Sequence, residues 1–359
     1  MKTHWVLCLL AVVVLLVLTV AAEPAYATVP KSPVIPYDLK KSATAWIQGK
    51  ITDSDFLSAL QQLVNNGMLV LSTSPNHTSK PPAISNANCN NSPVPGIDWS
   101  ECDLTGDDLS NARLGGADLS GSDLKGVNLS KSDLSNADLS GANLEGANLA
   151  GANLQGAKFY GTNFKNANLK GAVLSDAKLS GANLDGADMS GSNLAFESLV
   201  DVKLKGTNLS NSDLSGADLS RADLSNSNLS YGRFYGTNFY GSTLQGTNIS
   251  NSELAGANFF NANLEGANMS SSDLPDVNLS FADLTGSTLS GASFVNAKIT
   301  WAKIAHAKLD GADLAGVDLS NSDLTGANLK NTDLSGAKMD STKLVDTIRL
   351  CLHNPICTD

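Results

Sequence analysis

Side chains able to do covalent, acid–base or metal chemistry are scarce in this chain of 359 residues. It has four histidines (His4, His77, His306, His353) and five cysteines (Cys8, Cys89, Cys102, Cys351, Cys357). A metal site needs several such ligands at close spacing, yet no C-x-x-C pair occurs and no histidine cluster stands beside the cysteines. Neither His306 nor His353 has an evident nucleophile to activate. The recurring G-x-x-x-x-G spacing imitates half of a phosphate-binding loop, but no Lys-Ser/Thr completes it. The expectation is no catalytic residue, no metal and no cofactor. Charge narrows the partners. With 35 acidic and 24 basic residues the formal balance is -11, so no nucleic-acid partner is expected, since that contact needs basic groups to displace phosphate counterions.

What remains for the cysteines is disulfide formation, and the start of the chain bears on the compartment. Lys2 precedes an apolar run from Trp5 to Val20, followed by the small-residue site Ala25-Tyr26-Ala27. That order predicts a signal peptide over residues 1–27, cleaved after Ala27, and hence export. Left uncleaved, the run would be a membrane anchor. Cys8 leaves with the signal, and the four remaining cysteines allow three pairings. Residues 28–71 predict a small helical module. Leu39, Ala43, Trp46 and Ile47 share one helix face, and Phe56, Leu60, Leu63 and Val64 share the next, with Thr52 as its N-cap. Residues 72–96 turn to Ser, Asn and Pro and read as a linker carrying the sequon Asn76-His77-Thr78.

The chain is 42 % hydrophobic overall, and from residue 97 to 346 its apolar residues are arranged in fives. Every fifth residue from Trp99 to Leu344 is large and apolar: fifty positions, of which 37 are Leu and six are Phe. Two residues earlier the site is nearly always small. The residue between is Asp or Asn in 34 of the fifty units, which gives the consensus A-(D/N)-L-S-G. A period of five suits neither a helix nor a simple strand. It suits a chain that turns a corner every five residues, with the large and small residues inward, the polar one outward, and Gly or Asn at the corner. Fixed periodicity of this kind indicates a solenoid.

On these residues the segment resembles the pentapeptide-repeat family. The resemblance implies a mainly β fold, a right-handed quadrilateral β-helix with four pentapeptides per coil. A twenty-residue coil agrees with a column of Asn at 128, 148, 168, 208, 228, 248 and 268, and with Phe239 and Phe259 twenty apart. The rod would be roughly 60 Å long at ~4.8 Å per stacked strand. Disulfides need Cα atoms within ~7 Å, so a rod of that length leaves Cys89–Cys102 and Cys351–Cys357, one at each end. Residues 347–359 are the expected C-terminal cap.

Departures from the repeat are the informative positions. Asp107 and Glu197 place acids where small inward residues belong; Asp107 is close enough to an end to be solvated, whereas Glu197 is mid-rod and needs a partner or a local distortion. Outward positions carry Tyr160, Tyr231, Tyr235, Tyr240, Phe260, Phe281 and Trp301. Tyr240 and Phe260 share one column, Phe281 and Trp301 the column beside it, so these four form a strip along one corner, the candidate partner contact. Residues 97–346 hold 30 acids and 17 bases, with Asp crowding the first coils and Lys298, Lys303 and Lys308 ringing a later one. The functional expectation is an exported, non-enzymatic module that binds an unidentified protein or envelope component. The resemblance also implies an alternative, because some family members mimic DNA and inhibit DNA gyrase.

Overall fold

The computed structural model describes residues 89–357, within one unit, Pro82–Asp359. The expected signal segment, the helical module at 28–71 and the linker up to residue 88 lie outside the described residues. Those described contain no helix. They form coils of twenty residues, each a square of four short strands. The faces of the first coil are Ile97–Trp99, Cys102–Leu104, Asp107–Leu109 and Ala112–Leu114, termed the first to fourth faces.

The corners explain the period. Every fifth residue from Gly96 to Asp346 has φ between +54° and +72°, the left-handed conformation that reverses the chain most cheaply at Gly or Asn. The Asp or Asn of nearly every unit that has one then braces its own corner, its Oδ1 accepting the N–H two residues on, as in Ser120 to Asp118 at 3.0 Å and Ser270 to Asn268 at 3.1 Å.

Between coils, parallel pairing advances by twenty residues from Asp98↔Asp118 onwards. Leu129 N–H donates to Asn148 C=O at 2.7 Å and Asp138 N–H to Ala117 C=O at 2.9 Å. The expected Asn column lies on the third face and is a true ladder: each amide nitrogen donates to the side chain one coil below, Asn148 to Asn128 and Asn268 to Asn248 both at 3.1 Å. Parallel crossovers wind right-handed, the sense the resemblance implies.

Inside, the large residues from Trp99 to Leu334 are buried, while Met339 and Leu344 are half-buried because no complete coil covers them. Packing adjusts by trading volume within a unit. Phe234 follows Gly232, whose missing Cβ would lie 2.6 Å from the Phe234 ring. Phe239 and Phe259 stack at 4.6 Å. In most units where Ser or Thr replaces the small Ala, its hydroxyl donates to a carbonyl 3 or 23 residues back, as in Ser122 to Leu119 at 2.6 Å and Thr162 to Leu139 at 2.7 Å, which satisfies the buried oxygen.

The ends differ from each other. Cys89 joins Cys102, with Cα atoms 5.6 Å apart, beside the buried Trp99 and Ile97. Cys351 joins Cys357, with Cα atoms 5.0 Å apart. Pairing continues beyond residue 346, through Asn328↔Ile348 to Asp333↔Leu352, where the step shortens to nineteen. The expected C-terminal cap, residues 347–359, begins with the backbone pairing of another coil. Its Val345, Ile348, Leu350 and Leu352 are each about half-exposed.

Candidate interaction surface

The square coil turns the sequence into an address. Residues 100 and 101, and those at multiples of twenty beyond, form the corner between the first and second faces. Tyr240 and Phe260 fall on the first corner column, Phe281 and Trp301 on the second. The structure brings all four together: ring centroids are 5.8 Å apart for Tyr240–Phe260, 5.3 Å for Phe260–Phe281 and 6.2 Å for Phe281–Trp301. Two of the three steps are parallel stacks and the middle one is tilted where the ladder changes column. The rings cover one another's faces and present their edges outward. Tyr240, Phe281 and Trp301 remain 45 %, 51 % and 57 % exposed, and Phe260 is half-buried between its neighbours.

The backbone makes this strip costly. Phe281 and Trp301 sit at φ of +62° and +60°, where a bulky L-residue costs about 1–2 kcal/mol relative to Gly. Below Tyr240 the same corner carries a bidentate ion pair, Arg221 Nε and Nη2 each 2.8 Å from the Asp201 carboxylate. Beside the upper rings Thr300 donates to Ser280 at 3.0 Å. A sequence reading that finds the rings does not find this guanidinium–carboxylate pair, because a shared column does not show that the fork and the carboxylate meet.

The other bulky outward residues do not join the ladder. Tyr231 and Tyr235 occupy two other corners, and Tyr235 donates its phenol to Glu253, a bond that raises the phenol's pKa. Tyr160 stands alone on the ladder's corner, five coils before Phe260. Of the two acids at small positions, Asp107 is exposed and Glu197 half-buried. Lysines pair down the columns: Lys303 with Asp283 at 3.2 Å, Lys343 with Asp323 at 3.0 Å. No group of three or more His, Cys, Asp or Glu able to hold a metal occurs among the described residues, and no described helix is long and apolar enough to cross a membrane.

The model of the family described as "Pentapeptide repeats" matches in overlapping spans over residues 84–195 and 203–348. The chain belongs to the pentapeptide-repeat family. Solved structures of pentapeptide-repeat proteins resemble it. HetL of the cyanobacterium Nostoc sp. strain PCC 7120, described as involved in heterocyst differentiation regulation, is 27 % identical, covers 72 % of this chain and 90 % of its own, and has a TM-score of 0.32. QnrB1, a plasmid-mediated fluoroquinolone resistance protein, is 23 % identical over 55 % of this chain and 89 % of its own, with a TM-score of 0.41. A pentapeptide-repeat protein of the Arabidopsis thaliana thylakoid lumen is 28 % identical over 32 % of this chain and 69 % of its own, with a TM-score of 0.14. No curated protein matches.

Proposed function

We propose that this pentapeptide-repeat rod is an exported, non-enzymatic scaffold that binds a protein or envelope component through the corner formed by Tyr240, Phe260, Phe281 and Trp301. The observation that carries this reading is the ladder itself. Four aromatic rings are held half-exposed on one corner, two of them at backbone positions where Gly would be less strained. Solvent-exposed aromatic edges in a continuous strip are the composition of contact surfaces, and bulky rings retained at left-handed corners support that use. The signal-like start and the paired cysteines support export.

The test is a pull-down from the envelope fraction with the native rod and with Tyr240, Phe260, Phe281 and Trp301 all replaced by Ser, both checked for a folded rod by circular dichroism. Loss of a specific partner with the variant is expected; identical capture defeats the reading. Cleavage is checked by mass spectrometry of the mature N-terminus, expected at Thr28. The excess of 30 acids over 17 bases in residues 97–346 favours a second reading, DNA mimicry. It requires inhibition of gyrase supercoiling that survives removal of the aromatic corner.

A further inference from the structure

Among the described residues the register of bridges is broken once: Lys178↔Ser198 is absent between Val173↔Asn193 and Asn183↔Lys203. Around that point the inter-coil hydrogen bonds fail as a group. By the pattern that holds elsewhere, the N–H groups of Leu174, Leu179 and Gly181 should donate up to Asn193, Ser198 and Val200, and those of Asn193 and Ser198 down to Ala172 and Ala177. None of the five meets hydrogen-bond geometry, although Val173 and Asn193 still pair weakly; between Lys178 and Ser198 the pairing is lost altogether. At the edges of the opening the ladder is stretched, with Lys203 to Ala182 at 3.4 Å and Gly171 to Ser190 at 3.3 Å. Ser192, although buried, leaves its hydroxyl without a partner, as Ser287 does in an intact coil, whereas Thr207 and Ser212 reach the carbonyl 23 residues back at 2.8 and 3.0 Å. A cleft of about 510 Å³ lies here, lined among others by Tyr160, Asp176, Lys178, Phe196 and Glu197.

Glu197 stands at the centre of the defect. It occupies a small inward position that Ala fills in most coils, and Glu Oε1 takes the Asp176 N–H at 2.5 Å in place of a backbone carbonyl. The preceding corner residue, Phe196, is turned outward, 83 % exposed, with its ring over Gly216. The family match lapses at the same place, over residues 196–202. We propose that Glu197 is a wedge that holds two coils apart while ionised, making a joint at mid-rod that closes when the carboxyl is neutralised or removed.

Charge and solvation favour that response. Partial burial raises the Glu197 pKa, opposed by the Asp176 N–H and by Lys178 and reinforced by the Asp176 carboxylate. On the coil above, Asp218 stands next to Ser198 in the outward column, braced by Ser220 and Asn238 at 3.0 and 2.9 Å. A carboxylate that is disfavoured by burial leaves the folded state more stable once protonated, so the ionised form is the one that strains the joint. The acidic first coils lie on one side of this joint and the aromatic corner on the other; closure would change the angle between them.

Hydrogen–deuterium exchange on the full chain tests this, comparing peptides over residues 172–182 and 192–201 with a control over residues 132–142. Glu197→Ala restores the family's small residue and is expected to slow exchange in the two joint peptides at least tenfold, leaving the control unchanged. Glu197→Gln, which keeps the side chain's length without its charge, is expected to slow them also. In the wild type, lowering the pH from about 7 to about 4, across the ordinary carboxylate range, is expected to slow the same peptides after correction for intrinsic rates. Unchanged exchange in Glu197→Ala overturns the wedge; fast exchange in Glu197→Gln, or none of the slowing with acid, overturns closure by neutralisation.

Discussion

The exchange of volume between Gly232 and Phe234 gives a sharp energetic test of how the rod is packed. Adding a methyl to Gly232 would put a Cβ 2.6 Å and 2.7 Å from two Phe234 ring carbons and 3.0 Å from the Leu229 carbonyl oxygen. Nothing around the ring can yield easily, since Phe234 is fully buried and 5.9 Å from the Phe239 ring. Gly232→Ala should therefore cost about 1–3 kcal/mol, the usual range for overpacking. Phe234→Leu alone leaves a void beside a glycine and should cost about 1–2 kcal/mol, at the low end for core truncation. The double variant recreates the Ala-x-Leu unit found along the whole rod and should fall within about 1 kcal/mol of the wild type. The coupling between the two sites is then about 1–5 kcal/mol in favour of the matched pair. Urea unfolding followed by circular dichroism, with the midpoint compared at constant slope, measures all three. If Gly232→Ala is neutral, or if the double variant is as unstable as the two single losses added together, the volume trade is not what shapes this unit.

Phe281→Gly with Trp301→Gly trades about 2–4 kcal/mol of left-handed strain against about 1–2 kcal/mol of glycine chain entropy and about 1–3 kcal/mol of ring contacts; a midpoint close to the wild type is expected in the same assay, with partner capture lost. Replacing Cys89 and Cys102, or Cys351 and Cys357, by Ser should cost about 2–3 kcal/mol per pair from loop closure over separations of 13 and 6 residues, and the two losses should add because the pairs sit at opposite ends; thermal melts of single and double removals check both. The hydroxyls of Ser100, Ser135, Ser320 and Thr325 hold the pKa values of Asp98, Asp133, Asp318 and Asp323 below the ordinary carboxylate value. Depressed folded values give stability that is present above the unfolded pKa of about 3.9 and lost as pH falls through the folded values, so the melting temperature should drop below about pH 4, opposite in sign to the local effect at Glu197.

The columns were readable from residue types alone because the period fixes them. A Leu every fifth residue has one inward place to go, and Asn128 through Asn268 are twenty apart and stack. The corner strip was readable for the same reason, since 240, 260, 281 and 301 differ by twenty or twenty-one. Glu197 was legible as an acid at a small position needing a partner or a local distortion. That it opens the ladder was not, because a sequence pattern shows which residue is unusual but not whether the neighbouring strands give way or the side chain does. The Arg221–Asp201 pair and the Gly232–Phe234 trade lay hidden for a related reason. Both need the geometry of contact, a fork meeting a carboxylate and a ring meeting an absent methyl, beyond a shared column.

The twenty-residue coil also governs which changes of length this gene could survive. Removing twenty residues between the acidic coils and the aromatic corner would return every later side chain to its own column one storey lower, with Asn above Asn and ring above ring. Removing five would leave each Leu pointing inward and the core intact, while rotating everything beyond the cut by a quarter turn. The amide ladder would then be broken mid-way, and the aromatic corner would face a direction at right angles to its former one. The core is indifferent to which face a unit occupies; only the outer surface keeps count.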